Sequence, residues 1–331
     1  MPFTRRQAKR FRQCMTKLDE KQIIRIFANK LGISNLDDVA LLDKGIVMKS
    51  DMLVASTDIP SGMEAWQAAR KSIVSCISDF AAKGVRPHAA VISLGIPNSY
   101  SMQQPCIEGL AEGFAIASKE FGVKIVGGDT NEAGELVIDC SMIGFSKFKV
   151  PTRSGAKPGD YVIVSGPFGF APAGLAILLQ NAITVGSGSS IFRKHAVKSV
   201  LEPYPRQSFG LALARYLSSS IDSSDGLAVS LYELASQSEG VDIIIYSIPS
   251  VEGLDKFAQQ NSLDKHELVF HGGEEYEIVA TISHTKIRQA EAAARKAGVS
   301  LHVIGRVQKG SGNVFARNRL LENRGYMHFH K

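Results

Sequence analysis

Strand-like apolar runs alternate with helix-periodic segments along nearly the whole chain, which restricts the fold to sheets covered by helices. "GIVMKSDMLVAS" (45–56) and "HAAVISLGI" (88–96) read as strands. Between them, "EAWQAARKSIVSCISDFAAKG" (64–84) has helical periodicity, a stop at Gly84 and Pro87 beyond it. Ile107, Leu110, Phe114 and Phe121 predict a second helix that ends at Gly122. A strand then starts at "VKIV", breaks at Gly127, Gly128, Asp129 and Thr130, and resumes at Leu136, Val137 and Ile138. Farther on, "DYVIVSG", "VDIIIYSI", "YEIVATI" and "LHVIGRV" predict four more strands between helical segments. The expected class is α/β or α+β, with two units, since 331 residues at about 150 per domain make about two. The basic, apolar-poor "KFKVPTRSGAKPGD" (147–160) is the expected boundary. That gives units at 31–148 and 149–331, with an arm at 1–30. "GSGSS" (186–190) is expected to be a surface loop.

The balance of 44% hydrophobic and 21% charged residues is that of a soluble globular chain. No apolar run approaches the roughly 18 residues of a membrane span, and the N-terminus has no hydrophobic signal core. Four cysteines stand far apart without a CxxC pair, so a reducing compartment, the cytoplasm, is expected and a structural zinc site is not. The net charge of +6 is concentrated: residues 1 to 30 hold nine basic and two acidic side chains, and the rest nearly cancels. A body without basic excess does not suit a nucleic-acid backbone.

Carboxylates punctuate this pattern at glycine-lined turns. Asp51 falls inside an apolar strand, where an unpaired charge is costly. In the helix 64–84, Ser72, Ser75, Cys76 and Asp79 form one stripe of small polar side chains, which a bulky ligand can approach. Asp129 follows two glycines. "SSIDSSDGL" gives Asp222 and Asp225, the latter also suited to capping the next helix, and "NLDDV" gives Asp37 and Asp38. "FHGGEEYEIV" puts Glu274 and Glu275 after two more glycines. Clustered carboxylates without matching Cys or His favour Mg²⁺, which shares phosphate oxygens with its substrate. There is no GxxxxGK[ST], no GxGxxG after a strand and no protein-kinase catalytic loop. The residues therefore point to metal-dependent phosphoryl chemistry without a P-loop.

As a set, "SDFAAKGVRP", "VGGDT", "RSGAKPGD" and "DSSDGL" resemble the ATP-dependent superfamily of aminoimidazole ribonucleotide synthetase and thiamine-monophosphate kinase. "SDMLV", "GGEEYE" and "GYMHF" are similar to the kinase branch, and the resemblance covers roughly residues 30 to 329. It implies a two-domain fold whose N-terminal sheets pair across a homodimer and whose C-terminal domain is a mixed sheet with helices. It also implies transfer of the γ-phosphoryl of ATP to thiamine monophosphate, with several Mg²⁺ ions and no protein nucleophile. By that likeness Asp38, Asp51, Asp79, Asp129, Asp222 and Asp225 hold metal. Gly128, Asp129, Arg153 and Ser224 contact ATP, and Asp58, Glu274 and Tyr326 contact substrate. Leu36, Lys49, Cys76 and Asp58 depart from the family pattern, which has Gly, a hydroxyl, Asn and often His at these places. A sister synthetase and an inactive nucleotide-binding module are the alternatives. Selenophosphate synthetase is disfavoured because Cys14 lacks a glycine-rich loop, and the hydrogenase-maturation relative because the chain ends "HFHK".

Overall fold

The computed structural model describes residues 18–34, 36–101, 103–179 and 190–329. Residues 186–189 of the expected surface loop and the first 17 residues of the basic arm lie outside these. Two compact units are present, one made of residues 37–325 and the other of the described residues before and after them. In the smaller unit, helix α1 (Glu20–Leu31) begins at a capping box. Asp19 Oδ1 accepts from the Gln22 amide at 2.8 Å, and Gln22 Oε1 accepts from the Asp19 amide at 3.0 Å. The second half of the arm is therefore a capped helix.

The larger unit contains two mixed sheets. The first has strands β1 (Ala40–Leu41), β2 (Ile46–Val54), β3 (Arg86–Ile96), β4 (Lys124–Glu132) and β5 (Val137–Phe145), in the order β1-β2-β5-β3-β4. Helices α2 (Ala65–Ala82) and α3 (Gln104–Phe121) belong with it. Only β3 and β4 run parallel, joined through α3; the other pairs are antiparallel. Register sorts the side chains by face, because neighbours across a sheet point the same way. Asp51 pairs with Cys140, Cys140 with Ile92, and Ile92 with Gly128, which defines the inner, helix-covered face. Met52 pairs with Asp139, Asp139 with Ser93, and Ser93 with Asp129, which defines the outer one. On that outer face Met48, Met52 and Val91 are 40, 59 and 41% exposed.

The second sheet has β6 (Tyr161–Val164), β7 (Leu217–Ser223), β8 (Val241–Ile245), β9 (Glu277–Ile282), β10 (His302–Lys309), β11 (Val314–Ala316) and β12 (Arg319–Leu320). Their order is β12-β11-β8-β10-β6-β9-β7, with β8 and β11 the one parallel pair. Among the described residues, helices α4 (Phe170–Leu179), α5 (Ser190–Leu201), α6 (Gln207–Leu213), α7 (Leu227–Gln237), α8 (Leu254–Gln260) and α9 (Ile287–Ala297) belong to this half. The four strands expected here are all present. Most strand pairs are antiparallel, so of the two classes expected from the sequence α+β describes the fold. The segment 147–160 is irregular but not a free linker, since Val150, Ala156 and Asp160 are buried.

Helix α2 is buried on nearly every side, from Gln67 to Ala82 apart from Ser75. It packs on β2 and β5 of one sheet and on β7, β9 and α6 of the other. Contact with α6 requires Gly210, because a Cβ there would lie 1.7 Å from the Ala81 carbonyl oxygen. Gly210→Ala is expected to push α6 off α2 and to cost on the order of 2 kcal/mol, as overpacking does. Urea unfolding checks this, and an unchanged midpoint would show that the two helices separate freely.

Candidate active site

Three of the aspartates predicted from the sequence converge. Asp38 comes from the loop before β1, Asp79 from the last turn of α2 and Asp222 from the end of β7; all three are buried. One oxygen from each lies within 4.8 Å of the others. The strand, the helix and the loop deliver them because α2 lies against both sheets. Cations surround the group. Lys83 Nζ lies 2.7 Å from both Asp37 and Asp38 and donates to the Ser220 carbonyl at 2.6 Å. Arg153 Nε donates to Asp38 Oδ1 at 2.6 Å, a second guanidinium nitrogen pairs with the same oxygen, and its Nη1 lies 3.5 Å from Glu233. Lys49 Nζ is 2.6 Å from Asp79 Oδ2, and Ser78 Oγ donates to Asp222 Oδ2 at 2.8 Å.

The electrostatics follow from burial and crowding. Burial pushes the Asp79 carboxyl well up; Lys49 opposes this, and the charges of Asp222, Asp38 and Asp51 add to it. Asp222 is also raised, by burial first and by Asp38 next. Burial works on Asp38 too, but Lys83 and Arg153 outweigh it and hold that carboxyl below its usual range. Asp51 is raised by burial against the pull of Lys49. Lys49 holds its proton more tightly than a free lysine: burial opposes its charge, but Asp79 and Asp51 outweigh that. Converging buried oxygens that resist ionisation together want further positive charge. That donor set, all carboxylate, fits a hard divalent cation such as Mg²⁺.

Two of the expected substrate residues are joined by a lysine. The Lys71 ammonium, 3% exposed, lies 2.6 Å from Glu274 Oε2 and donates to the Asp58 carbonyl oxygen at 2.8 Å. The Asp58 carboxylate itself is engaged locally, accepting from the Val54 amide at 2.7 Å and the Thr57 hydroxyl at 2.9 Å. Glu274 and Tyr276 both adopt positive φ, 71° and 51°, which costs non-glycine residues on the order of 1–3 kcal/mol and is common at functional turns. Tyr276 Oη lies 3.3 Å from Ser75 Oγ and 3.5 Å from Glu274. The turn is anchored by the Glu274 amide on the Ser224 carbonyl at 2.6 Å and the Tyr276 amide on that of Ser223 at 2.9 Å.

Other expectations fare differently. Asp129 stands on the outer face of β4, away from the inner face that holds Asp51, so one chain does not bring these two together through the sheet. Gly128 has an internal reason: a Cβ there would sit 1.8 Å from the Ile92 carbonyl oxygen, whereas Gly127 meets open space. The polar stripe on α2 is not an open groove, because Ser72 and Cys76 are buried and Cys76 Sγ donates to the Cys140 carbonyl at 3.0 Å. Asp225 is exposed and Ser224 half-buried at the turn before α7. Tyr326 belongs to the smaller unit, where it meets His328 edge-on at 5.0 Å. Sequence reading missed Lys71, Lys83 and Tyr276. The signal for Lys71 was its place on the helix side that carries Ser75 and Ser78, at i, i+4 and i+7.

Fold and site together define a class: the described fold is that of the aminoimidazole ribonucleotide synthetase-like, ATP-dependent proteins. The family model for the N-terminal domain of AIR synthase related proteins matches residues 36–146. The thiamine-monophosphate kinase of Nitrosopumilus maritimus is 42% identical over 320 residues, spanning 95% of this chain and all of that one. The thiamine-monophosphate kinase of Pyrococcus horikoshii is 35% identical over 93% of this chain and 94% of its own length. Among solved structures, AaThiL complexed with AMPPCP and TMP superposes with a TM-score of 0.84 at 25% identity, over 95% of this chain and 99% of that one. The chain belongs to the thiamine-monophosphate kinase family.

Glu275 turns away from Glu274 and accepts from the Gly169 amide at the start of α4. Burial pushes its carboxyl up to about 8, that hydrogen bond opposes the shift, and the Glu277 charge adds to it. Below the ordinary glutamate range both folded and unfolded chains carry the proton, so nothing is lost. As pH rises from about 4.5 to about 8, the unfolded chain ionises while the folded one resists, and stability falls. Glu275→Gln removes this loss. Its melting temperature relative to wild type is expected to climb between pH 5 and 8 and then level off. Parallel melting curves across that range would mean that the folded chain ionises Glu275 without penalty.

Proposed function

We propose that this chain transfers the γ-phosphoryl group of ATP directly to the phosphate of thiamine monophosphate, giving thiamine diphosphate and ADP. Membership of the kinase family supports the reaction, and the buried convergence of Asp38, Asp79 and Asp222 supports where it occurs. These three carboxylates, with Asp51 beside Lys49, are the residues that would hold Mg²⁺. Held there, such ions would supply positive charge to balance that of the polyphosphate. The chain's own cations have separate tasks. Arg153 and Lys83 hold Asp38 ionised and in place, while Lys49 sits on Asp79 and takes part of the charge that would otherwise call for a metal. Lys71 fixes Glu274 at the strained turn, where an acid suits a cationic thiamine ring system. Phosphate attacks phosphate, so no protein nucleophile is required.

Asp79→Asn and Asp222→Asn keep the shape but remove charge, and each is expected to lower kcat on the order of 10²-fold, because positioning and charge neutralisation supply most of phosphoryl-transfer catalysis. Lys49→Met, which frees Asp79 Oδ2 and leaves the cluster more negative, is expected to lower the free Mg²⁺ needed for half-maximal rate. Formation of thiamine diphosphate from ATP, Mg²⁺ and thiamine monophosphate is the assay. No product from the wild-type chain would leave the sister synthetase or the inactive module standing, and near-wild-type rates in both Asn variants would remove the cluster from the mechanism.

We also infer a homodimer built on the outer face of the first sheet. Met48, Met52 and Val91 lie exposed there beside a polar centre in which Ser50 Oγ donates to Asp139 at 2.8 Å. An uncovered apolar sheet face is an aggregation site unless a partner covers it, and Asp129, on this same face, would then face the second copy. Light scattering at micromolar concentration is expected to give twice the chain mass, and Met52→Asp is expected to shift it toward the monomer. A monomeric wild type would sink this assembly.

A further inference from the structure

Away from the carboxylate cluster, a cavity of about 1000 Å³ is bounded in part by Tyr246, His266, Glu267, His271 and Arg319. None of Asp38, Asp79 and Asp222 lines it. Three of its wall residues, His266, Glu267 and His271, offer ligand atoms that all lie within 4.8 Å of one another. They are brought together by a π-helical turn over Glu267–His271, a rare conformation that recurs at functional sites. Its wider winding brings residues five apart, such as 266 and 271, onto one side.

The chemistry of His271 is fixed by its surroundings. Its Nδ1 lies 2.8 Å from the Arg324 carbonyl oxygen, which can only accept, so Nδ1 carries the hydrogen. The lone pair of the neutral ring is therefore on Nε2, which faces Glu267 Oε1 at 4.0 Å. Metal-bound histidines are oriented in this way, by a backbone carbonyl on the far nitrogen. The His271 side chain is only 6% exposed and so held firmly. Glu267, 42% exposed and paired with Arg324, and His266, exposed with its ring 4.5 Å from that of Phe270, have room on the solvent side to turn toward it. Ligand atoms around a tetrahedral ion with bonds of about 2.1 Å stand about 3.4 Å apart. Small side-chain rotations cover the difference.

We propose that His266, Glu267 and His271 form a binding site for one divalent transition-metal ion of the Zn²⁺ class, with a fourth coordination position open to the cavity. Two imidazoles and one carboxylate select such an ion over Mg²⁺, whereas the oxygen-only cluster at Asp79 selects the reverse. Without metal, the Arg324 guanidinium fills the place of the cation: its Nη2 lies 2.7 Å from Glu267 Oε1, and its Nε lies 3.3 Å from Glu322. Metal binding exchanges that exposed ion pair for coordination.

Titration of the full-length protein with Co²⁺, read by its visible ligand-field absorption and reversed by Zn²⁺, tests the site without any turnover, so its outcome is independent of the kinase reading. One equivalent is expected to bind. His266→Ala, Glu267→Gln and His271→Ala are each expected to weaken binding at least about 10-fold, since losing even a group that only orients a ligand costs about 10- to 100-fold. Arg324→Gln, which keeps the backbone carbonyl and frees Glu267, is expected to tighten it several-fold. Circular dichroism reports whether His271→Ala remains folded, and exposed His266 gives a variant that does not threaten the core. Absence of a Co²⁺ band, or a band undiminished in His266→Ala, would overturn the proposal. Weaker binding in Arg324→Gln would overturn the role given to Glu267.

Discussion

The buried ammonium of Lys83 is the interaction on which the site depends. The residue is wholly excluded from solvent, yet its charge meets Asp37, Asp38 and the Ser220 carbonyl at 2.6–2.7 Å. A buried charge is tolerated only when paired and hydrogen-bonded in this way, and removing one partner typically costs several kcal/mol. Here the partners come from the loop before β1 and from β7, while Lys83 itself follows the last turn of α2. One cation therefore joins the three pieces of chain that carry Asp38, Asp79 and Asp222. The carboxylates converge because Lys83 leaves their backbones little alternative.

Around that tie the charges remain unbalanced on purpose of chemistry rather than of stability. Lys49, Lys83 and Arg153 face Asp37, Asp38, Asp51, Asp79 and Asp222, so acids outnumber bases in a low-dielectric setting. Burial first, and the neighbouring carboxylates after it, make Asp79, Asp222 and Asp51 resist ionisation. A fully balanced network would have given no cation reason to enter. The strained turn at Glu274 and Tyr276 follows the same logic, holding side chains in place by bonds from its amides to the carbonyls of Ser223 and Ser224.

Much of this was legible in the sequence, and the failures have physical causes. Apolar runs located β2, β3, the start of β4, β5, β6, β8, β9 and β10, because buried strands need continuous or alternating hydrophobicity. The break expected at 127–130 is absent, as β4 continues through it to Glu132 on ladder bonds to β3 rather than on apolar side chains. Strand β7 escaped, since "LSSSIDS" looks like a loop; its serines are buried because they bond to neighbours, as Ser219 does to Thr281 at 2.7 Å and Ser220 to the Ala82 carbonyl at 2.6 Å. Asp38, Asp79 and Asp222 were readable as acids at punctuated positions, but their meeting point depends on α2 touching both sheets, which no local pattern encodes. Lysines 71 and 83 were passed over because a lysine in a helix is ordinarily solvated. The faces of Asp51 and Asp129 were hidden for another reason: strand order and register decide them, and neither is written in the strands themselves.

Because α2 is part of the packing of both sheets, the two halves of the larger unit cannot swing apart like a jaw without tearing that helix from one of them. Ridges of Ala68, Ala69, Ala81 and Ala82 leave little slack, and Gly210 locks the far end. The adjustments a ligand asks for then fall on partly exposed side chains near the cluster, such as Arg153 and Glu274, 26 and 24% exposed. The cost of each cycle falls on a few rotamers and ion pairs rather than on rearranging the core, which suits a catalyst that must present the same arrangement of charge to every incoming nucleotide.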